Sequence, residues 1–372
     1  MELAPTSEQR AVQDAARRFL ERELTRERLV AFDAEPAGHD ARFWRDVAAL
    51  GWLGWALPAA HGGGGASLVD LGLLLEECGR AAAPHGVFAA VAGGLALDAL
   101  GSPAQKRTWL PRAARGECAL TLAIAERDAV SDPRAFVTTL SRRGKTVRLR
   151  GSKWFVPQAA AADAFVVLAR DGRGATGALV PADTPGVSVR PLDTLGKDRQ
   201  GVVELDVVLP AAALLGRRGT VWPRWQRLRQ RLAALLCAEL VGGADAVLAM
   251  TVAHVCEREQ FGARLGTFQA VQQMAAVMAI DLEAARHVTR QALWRLAEGL
   301  PAEREIAIAK AWTGQAYRGM TLLAHQLHGG AGYVIEHPLH RHTLRAKEAE
   351  LLFGSTEEWL EELAGRLRLA PA

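Results

Sequence analysis

Hydrophobic residues recur at helical spacing in the first third of the chain. Five of them follow the i, i+3, i+4, i+7, i+8 pattern of an amphipathic helix: Val12, Ala15, Ala16, Phe19 and Leu20. Thr6 and Gln9 precede this run with the residue types and spacing of a capping box. Further helical stretches are expected at three places, around 41–50, 67–81 and 103–115. The pattern predicts that the chain begins with helices alone.

The period changes from 3.6 to two after Gly116. Apolar and polar residues alternate in three short runs, Val147/Leu149, Val187/Val189 and Val203/Leu205/Val207, and Phe165–Leu168 is a continuous apolar run. Turn signals separate these runs at Arg143-Gly144, Asp171-Gly172, Pro185-Gly186 and Gly201. Such short strands predict antiparallel hairpins in a compact sheet or barrel that ends near Pro210.

Helical periodicity returns from about residue 222. Its best example is Val271, Met274, Ala275, Met278 and Leu282. Breaks at Pro301 and in the Gly329–Gly332 run divide the rest into roughly four long helices, the number that a bundle needs. We therefore predict a mainly α protein with a central β domain, with domains at 1–118, 119–212 and 213–372.

Composition narrows the functional class. The 372 residues carry 45 Lys and Arg against 41 Asp and Glu, a net charge of +4, which is too small for a dedicated nucleic-acid binder. The four cysteines form no C-x-x-C pair, so neither a disulfide framework nor a zinc ribbon is expected. The longest apolar run, Val87–Leu97, is too short to span a membrane, and the N-terminus lacks a secretory pattern. We expect a cytoplasmic protein.

Four motifs bring together residues with useful chemistry. The segment from Arg258 to Gln269 places a cation, an aromatic ring and an amide around two glycines, a set suited to gripping a phosphate and a heterocycle. A second motif runs from Gln326 to Tyr333, where a helix ends in glycines. The other two are 124–132, after the first strand, and 151–157, at a strand end. Taken singly, helix caps, turns and solvated side chains also explain them.

In this order on a helix–sheet–helix chain, the four motifs resemble the acyl-CoA dehydrogenase family, flavoproteins that oxidise acyl-CoA thioesters to the α,β-enoyl form. The resemblance covers essentially the whole chain, and the Arg-x-Gln-Phe-Gly and Gln-x-x-Gly-Gly-x-Gly elements are its most specific parts. It implies an N-terminal helical domain, a middle β-barrel and a C-terminal four-helix bundle. It also implies FAD as the cofactor, an oligomer, electron-transfer flavoprotein as the acceptor and a place in lipid metabolism.

The resemblance also implies roles for individual residues. Those expected at the adenine and pyrophosphate end of an FAD belonging mainly to the neighbouring subunit are Arg258, Phe261, Gln269, Gln326, Gly329 and Gly330. Those expected to contact the flavin or its pyrophosphate are Phe155, Pro157, Ser131 and Thr356. Those expected along the acyl-CoA are Ala125, Glu126 and Ser131.

The chain departs from the family around the flavin ring and the catalytic base. A Thr or Ser of the family is replaced by Pro157, and another by Ala125, so two hydroxyls are missing. The base, which removes the proton next to the thioester carbonyl, is Glu in a Tyr-Glu-Gly-Thr segment of many members, and Gly354 stands in its place. Other members carry it on an earlier helix, where this chain has Leu232. Hence no catalytic residue is assigned. Three acidic residues, Glu239, Glu348 and Glu350, lie near enough in sequence to be tested, and Glu239 is the fallback candidate.

Three hypotheses follow. The leading one is a dehydrogenase-like subunit that lacks its own base and works in a homo- or hetero-oligomer with a homologous, base-bearing partner. The second is a self-sufficient dehydrogenase with an atypical base such as Glu239, and the third is a non-catalytic acyl-CoA-binding scaffold.

Three further features of the sequence carry expectations. We expect no metal site, since His337, His340 and His342 match no standard spacing. The run Gly62–Gly65 is interpreted as a flexible connector, and a glycine at 354 is expected to accommodate a restored carboxylate.

Overall fold

The computed structural model describes residues 4–34, 40–127, 135–196 and 198–368. Its helices are α1 (Ser7–Glu23), α2 (Arg26–Ala34), α3 (Ala41–Ala49), α4 (Leu68–Arg80), α5 (Gly86–Leu100), α6 (Pro103–Ala114), α7 (Val221–Glu257), α8 (Gln269–Ala297), α9 (Glu303–His328), α10 (Leu339–Leu351) and α11 (Thr356–Arg366). Its strands are β1 (Leu120–Ala123), β2 (Thr139–Arg143), β3 (Thr146–Pro157), β4 (Ala164–Asp171), β5 (Gly174–Pro181), β6 (Val187–Pro191), β7 (Gln200–Pro210), β8 (Glu259–Gln260) and β9 (Ala263–Arg264). The predicted fold class, mainly α with a central β domain, is confirmed.

Side-chain caps decide where several helices begin. Thr6 and Gln9 form the predicted capping box at α1, each side chain bonding the backbone N–H of the other. Ser67 and Ser102 start α4 and α6 in the same way. Helix α5, by contrast, was not predicted, because it is buried on nearly every side and its sequence carries no polar stripe.

One compact unit, which we call the sheet unit, consists of residues 27–66 and 84–229. Its strands pair in the order β1-β4-β2-β3-β7-β6, and β5 pairs with β4 in addition. The pairs β2–β3, β4–β5, β3–β7 and β6–β7 are antiparallel, whereas β1 runs parallel to β4. Alternate residues such as Val147, Leu149, Val203 and Leu205 enter one buried core, as the period-two pattern predicted.

Two glycine interpretations need correction. Gly201 does not form a turn between strands, since it lies inside β7 and pairs with Pro191. The Gly62–Gly65 run is not a flexible connector, because its amides donate to carbonyls of neighbouring turns and a Cβ at Gly63 would lie 2.1 Å from the oxygen of Leu57. Glycine is required there for close packing of the backbone.

The second compact unit, which we call the helical unit, consists of residues 1–26, 67–83 and 230–372. Helices α8, α10 and α11 all pack on α9. The sequence predicted roughly four long helices. The structure has three, α7, α8 and α9, and the shorter helices α10 and α11 stand where the fourth was expected. Within the described part of the chain, α7 is the one helix apolar and long enough to cross a membrane, and 78% of its apolar window is buried inside the protein.

Candidate active site

Glu126 follows β1 and is almost fully buried beside Lys153 of β3. The carboxylate lies 2.7 Å from the Lys153 ammonium and also accepts hydrogen bonds from the backbone amides of Val137 and Thr138. Burial alone would raise the pKa of Glu126, but Lys153 and these donors outweigh it and lower that pKa. Burial lowers the pKa of Lys153 to about 8. Glu126 is therefore an ionised, fully engaged group that ties the end of β1 to β3.

Phe155 lies at an irregularity in β3. The register with β7 shifts between Lys153 and Val156, and Phe155 has φ = 54°, which is unusual for a residue with a bulky side chain. The residue is 49% exposed although its side chain is large and apolar. Two residues further, the carbonyl of Pro157 accepts a hydrogen bond from the Thr121 hydroxyl. Strained backbone and an exposed aromatic ring are typical of a ligand-facing position.

The motif from Arg258 to Gln269 forms a hairpin between two long helices. Helix α7 ends at Glu257, and β8 and β9 pair across a turn in which Phe261 and Gly262 both have positive φ. Phe261 at the tip is 90% exposed, and Arg258 is exposed at the base of the hairpin. Gln269, also exposed, is the first residue of α8. A cation, an aromatic ring and an amide are thus presented to solvent together.

The glycine-rich motif follows the C-terminus of α9. Gln326 in the last turn is exposed, and Gly329 and Gly330 follow the helix with open space where a side chain would stand. Gly329 has φ = 57°, a conformation that glycine adopts without strain. Another molecule can approach this stretch of backbone closely.

A stack of imidazoles brings these two motifs to one edge of the helical unit. The ring of His328, at the end of α9, lies 4.4 Å from that of His254, one turn before Arg258, and 4.7 Å from that of His337. The Nδ1–H of His328 donates to the carbonyl of Ala324. No role was predicted for His254 or for His328, although His328 lies within the second motif, because their contact joins residues far apart along the chain.

The segment between α10 and α11 contains the first expected position of the base. Phe353 and Gly354 have φ of 61° and 115°, so both lie outside the conformations that residues with a Cβ prefer. At φ = 115° the backbone does not accommodate a glutamate without strain, contrary to the expectation from sequence. Two residues on, Thr356 is buried, and its hydroxyl has no hydrogen-bond partner among the described residues.

The alternative position of the base, Leu232, and the fallback candidate, Glu239, both lie on α7. Leu232 is fully buried and apolar. Glu239 is 3% exposed, at a point where α4 and α7 are in backbone contact: a Cβ at Gly79 would lie 1.8 Å from the Glu239 carbonyl oxygen. Burial, and then the nearby Glu239, raise the pKa of the Cys78 thiol on α4.

Some of the predicted site lies outside the described residues. Ser131 belongs to that part, so nothing is said of its position. Ala125 is described, and its carbonyl accepts a hydrogen bond from the amide of Trp154. Among residues 4–34, 40–127, 135–196 and 198–368, no group of three or more His, Cys, Asp or Glu is arranged to hold a metal ion.

Three family models match the chain in succession. They are the acyl-CoA dehydrogenase N-terminal domain over residues 6–117, the middle domain over 121–207 and the C-terminal domain over 222–367. A probable acyl-CoA dehydrogenase of Bacillus subtilis, YngJ, is 30% identical over 95% of this chain and 96% of its own length.

Solved structures agree with this result. The ChsE4-ChsE5 complex of Mycobacterium tuberculosis contains a chain that is 29% identical, with a TM-score of 0.91 over the whole of both chains. A variant of the Tcur3481-Tcur3483 steroid ACAD contains one that is 33% identical, with a TM-score of 0.88 over 97% of this chain and 98% of that one. The first of these structures is a complex of ChsE4 with ChsE5.

Proposed function

Because this chain belongs to the acyl-CoA dehydrogenase family, we propose that it is one subunit of an oligomer that performs FAD-dependent α,β-dehydrogenation of an acyl-CoA thioester, with the base supplied by a homologous partner subunit. The family makes the protein an oxidoreductase whose cofactor is FAD. The absent base and the partner are the specific content of the proposal. The domain boundaries at 118/119 and 212/213 are proposed with it.

The conformation of Gly354 is the observation that carries this proposal. A glutamate could replace a glycine in an ordinary loop at little cost, but a φ of 115° disfavours every residue with a Cβ. Leu232, at the alternative position, is buried in the helix core. The backbone conformation at Gly354 and the apolar side chain at Leu232 therefore both support a chain without a base of its own.

The residues present fit the cofactor. The hydroxyl of Thr356 is buried and has no partner within the part of the chain that the structure describes, so it is a polar group that a flavin could satisfy. Such groups are rare in proteins unless a ligand or water meets them. Arg258 can pair with a pyrophosphate, and Phe261 can stack on a heterocycle. We assign the following residues to FAD: Arg258, Phe261, Gln269, Gln326, Gly329, Gly330, Phe155, Pro157, Thr356 and, outside the described residues, Ser131.

The chain's own residues bind and position in this scheme. FAD, when bound, accepts the hydride that leaves the substrate. Ala125 and Glu126, with Ser131, are assigned to the acyl-CoA side, where the Glu126–Lys153 pair keeps the end of β1 in place. Pro157 and Ala125 bring no side-chain hydroxyl to the ring, so this chain contributes fewer hydrogen bonds there than the family pattern provides. Proton removal from the substrate is left to the partner's carboxylate.

The environment of Glu239 does not favour the self-sufficient alternative. A catalytic carboxylate must reach the substrate α-carbon, whereas this one is buried where α4 and α7 touch. We further propose that the acceptor is electron-transfer flavoprotein and that the protein is cytoplasmic. The identity of the acyl group depends on the partner's pocket as well as on this chain.

Anaerobic flavin reduction tests the proposal. The chain purified alone and loaded with FAD is mixed with saturated acyl-CoA thioesters of different size, and the flavin absorbance is followed. We expect reduction slower by about 10²–10⁴-fold than in a base-bearing enzyme, which is the typical contribution of general-base catalysis. Dithionite, which needs no base, should reduce the same flavin fully. Rapid bleaching by a thioester would refute the missing base, and a colourless protein that cannot be loaded would favour the scaffold hypothesis.

A further inference from the structure

Lys310, on α9, is a buried cation that no part of the proposed mechanism uses. Its side chain has no exposed surface, and its ammonium donates three hydrogen bonds. The acceptors are the carbonyl oxygens of Ala349 at 3.1 Å, Glu350 at 2.9 Å and Gly354 at 3.1 Å. A lysine ammonium has three N–H donors, so its orientation is fully determined by these three carbonyls.

Two of these bonds are those of a helix cap. Ala349 and Glu350 lie in the last turn of α10, where carbonyls have no partner within the helix and the helix dipole favours a positive charge. A cap alone does not require a buried lysine, because glycine or water usually satisfies such carbonyls and the burial of a charge is costly.

The third bond gives Lys310 a wider role. It reaches the carbonyl oxygen of Gly354, which follows the positive φ angles of Phe353 and Gly354 in the chain. Strained conformations persist only when the surroundings hold them. Lys310 is such a restraint, because one ammonium joins the carbonyls on both sides of this turn.

What the turn positions is Thr356. This residue begins α11 two positions after Gly354, and its buried hydroxyl has no partner among the described residues. The Ser355–Glu358 capping box and the fully buried Trp359 fix the rest of the helix N-terminus. The position of the Thr356 hydroxyl relative to α9 therefore depends on the turn that Lys310 holds.

We propose that Lys310 is a positioning residue of the cofactor site: its ammonium fixes residues 353–356 in the glycine-dependent turn and so holds the Thr356 hydroxyl where it meets the flavin. The proposal rests on the proposed function for the presence of FAD. The turn itself is a property of the chain without cofactor and can be measured separately.

The test compares Lys310→Met with Tyr317→Phe. Tyr317 lies on the same helix and also bonds α10, but its hydroxyl makes its 2.8 Å hydrogen bond with Nδ1 of buried His342 and not with a carbonyl of the turn. We expect Lys310→Met to weaken FAD binding about tenfold, since a charge-assisted hydrogen bond network is lost. It should also shift the flavin absorption band and speed hydrogen exchange of the 353–356 amides in the apoprotein. Tyr317→Phe should lower the melting temperature and leave all three readouts unchanged.

Lys310→Gln keeps the test valid if Lys310→Met does not fold. A glutamine amide has two N–H donors and no charge, so it can bond at most two of the three carbonyl oxygens. We therefore expect an FAD affinity between those of wild type and Lys310→Met. Wild-type affinity, spectrum and exchange in either Lys310 variant would overturn the proposal. Equal losses in Tyr317→Phe would also overturn it, because they would show general loosening of α9 and α10. Failure of the wild-type chain to bind FAD would instead overturn the proposed function.

Discussion

At Gly354 the backbone angle itself opposes a side chain. A non-glycine residue held at such a φ costs about 1–3 kcal/mol. We therefore predict that Gly354→Glu lowers the free energy of unfolding by about that amount and restores little flavin reduction. Gly354→Gln is the matched control, because it carries the same strain without a carboxylate. Equal stability of wild type and both variants would show that the turn relaxes, and substantial activity of Gly354→Glu alone would show that the missing side chain is the main lesion.

Arg258 is predicted to hold the pyrophosphate end of FAD. Its replacement by Ala should weaken FAD binding by about 10–100-fold, since hydrogen bonds to charged groups contribute about 1.5–3 kcal/mol. Arg264→Ala is the control, as Arg264 is exposed on the same hairpin and pairs only loosely with Glu259, at 3.7 Å. Equilibrium titration of the apoprotein with FAD measures both. Equal affinities in the two variants would remove Arg258 from the site.

The Glu126–Lys153 pair makes a prediction about stability. Lys153→Met should lower the free energy of unfolding by about 3–5 kcal/mol, because it leaves a buried carboxylate without its counter-charge. Arg148→Met, on the same strand, breaks an exposed pair with Asp206 and should cost about 0–1 kcal/mol. Denaturant unfolding followed by circular dichroism gives both values. A small loss for Lys153→Met would show that Glu126 finds other compensation.

Elements with one clear period were predictable, and those without one were not. Helices α1, α3 and α6 and strands β3, β4, β6 and β7 follow the sequence pattern, because each has a more buried and a more solvated side or a short continuous core run. Helix α4 was also predicted, although Leu71–Gly79 are all buried. Helix α5 was not predicted because it is apolar around its circumference, and α2 was not predicted because its nine residues carry no apolar stripe. Likewise, motif residues could be assigned to the hairpin and the glycine turn, whereas Lys310 and the His254–His328 stack depend on tertiary contacts alone.

The imidazole stack between the ends of α7 and α9 predicts a pH dependence. Burial first, and then the neighbouring His328, lower the pKa of His254, His325 and His337 below the usual value, and Arg258 adds to the effect on His254 while Glu257 opposes it. These histidines are thus more readily protonated in the unfolded chain. Their contribution to stability is complete above about pH 6.5, the usual value, and is lost as the pH falls from there through the folded-state pKa values.

Melting temperatures of the apoprotein between pH 5 and pH 8 check this prediction. We expect the melting temperature to fall on the acid side of about pH 6.5, and His254→Gln to reduce that fall. His287→Gln, at an exposed position on α8, is the control and should keep the wild-type profile. If His254→Gln and His287→Gln keep the same slope as the wild type, the stack is not responsible.

At the scale of the whole molecule, the proposal divides one reaction between two chains. This chain exposes Arg258, Phe261 and the glycine turn at Gly329 and Gly330. In the proposed division of labour, the base and two hydroxyls near the flavin are absent from this chain. An exposed binding group can serve a neighbouring subunit even when the chain's own site is inactive. Hence a mixed oligomer should contain an active site formed by the base of the partner and by the residues of this chain that are assigned to the adenine and pyrophosphate end of FAD.

Co-expression with a homologue that has Glu in the Tyr-Glu-Gly-Thr segment tests this division. Saturated acyl-CoA should reduce the mixed oligomer about 10²–10⁴-fold faster than it reduces this chain alone. Arg258→Ala in this chain should lower the FAD content of the mixed oligomer, because its guanidinium binds the partner's cofactor. Glu→Gln in the partner should leave FAD content unchanged and slow reduction by about 10²–10⁴-fold. Full FAD content with Arg258→Ala, or undiminished reduction without the partner's carboxylate, would show that the two chains do not share a site in this way.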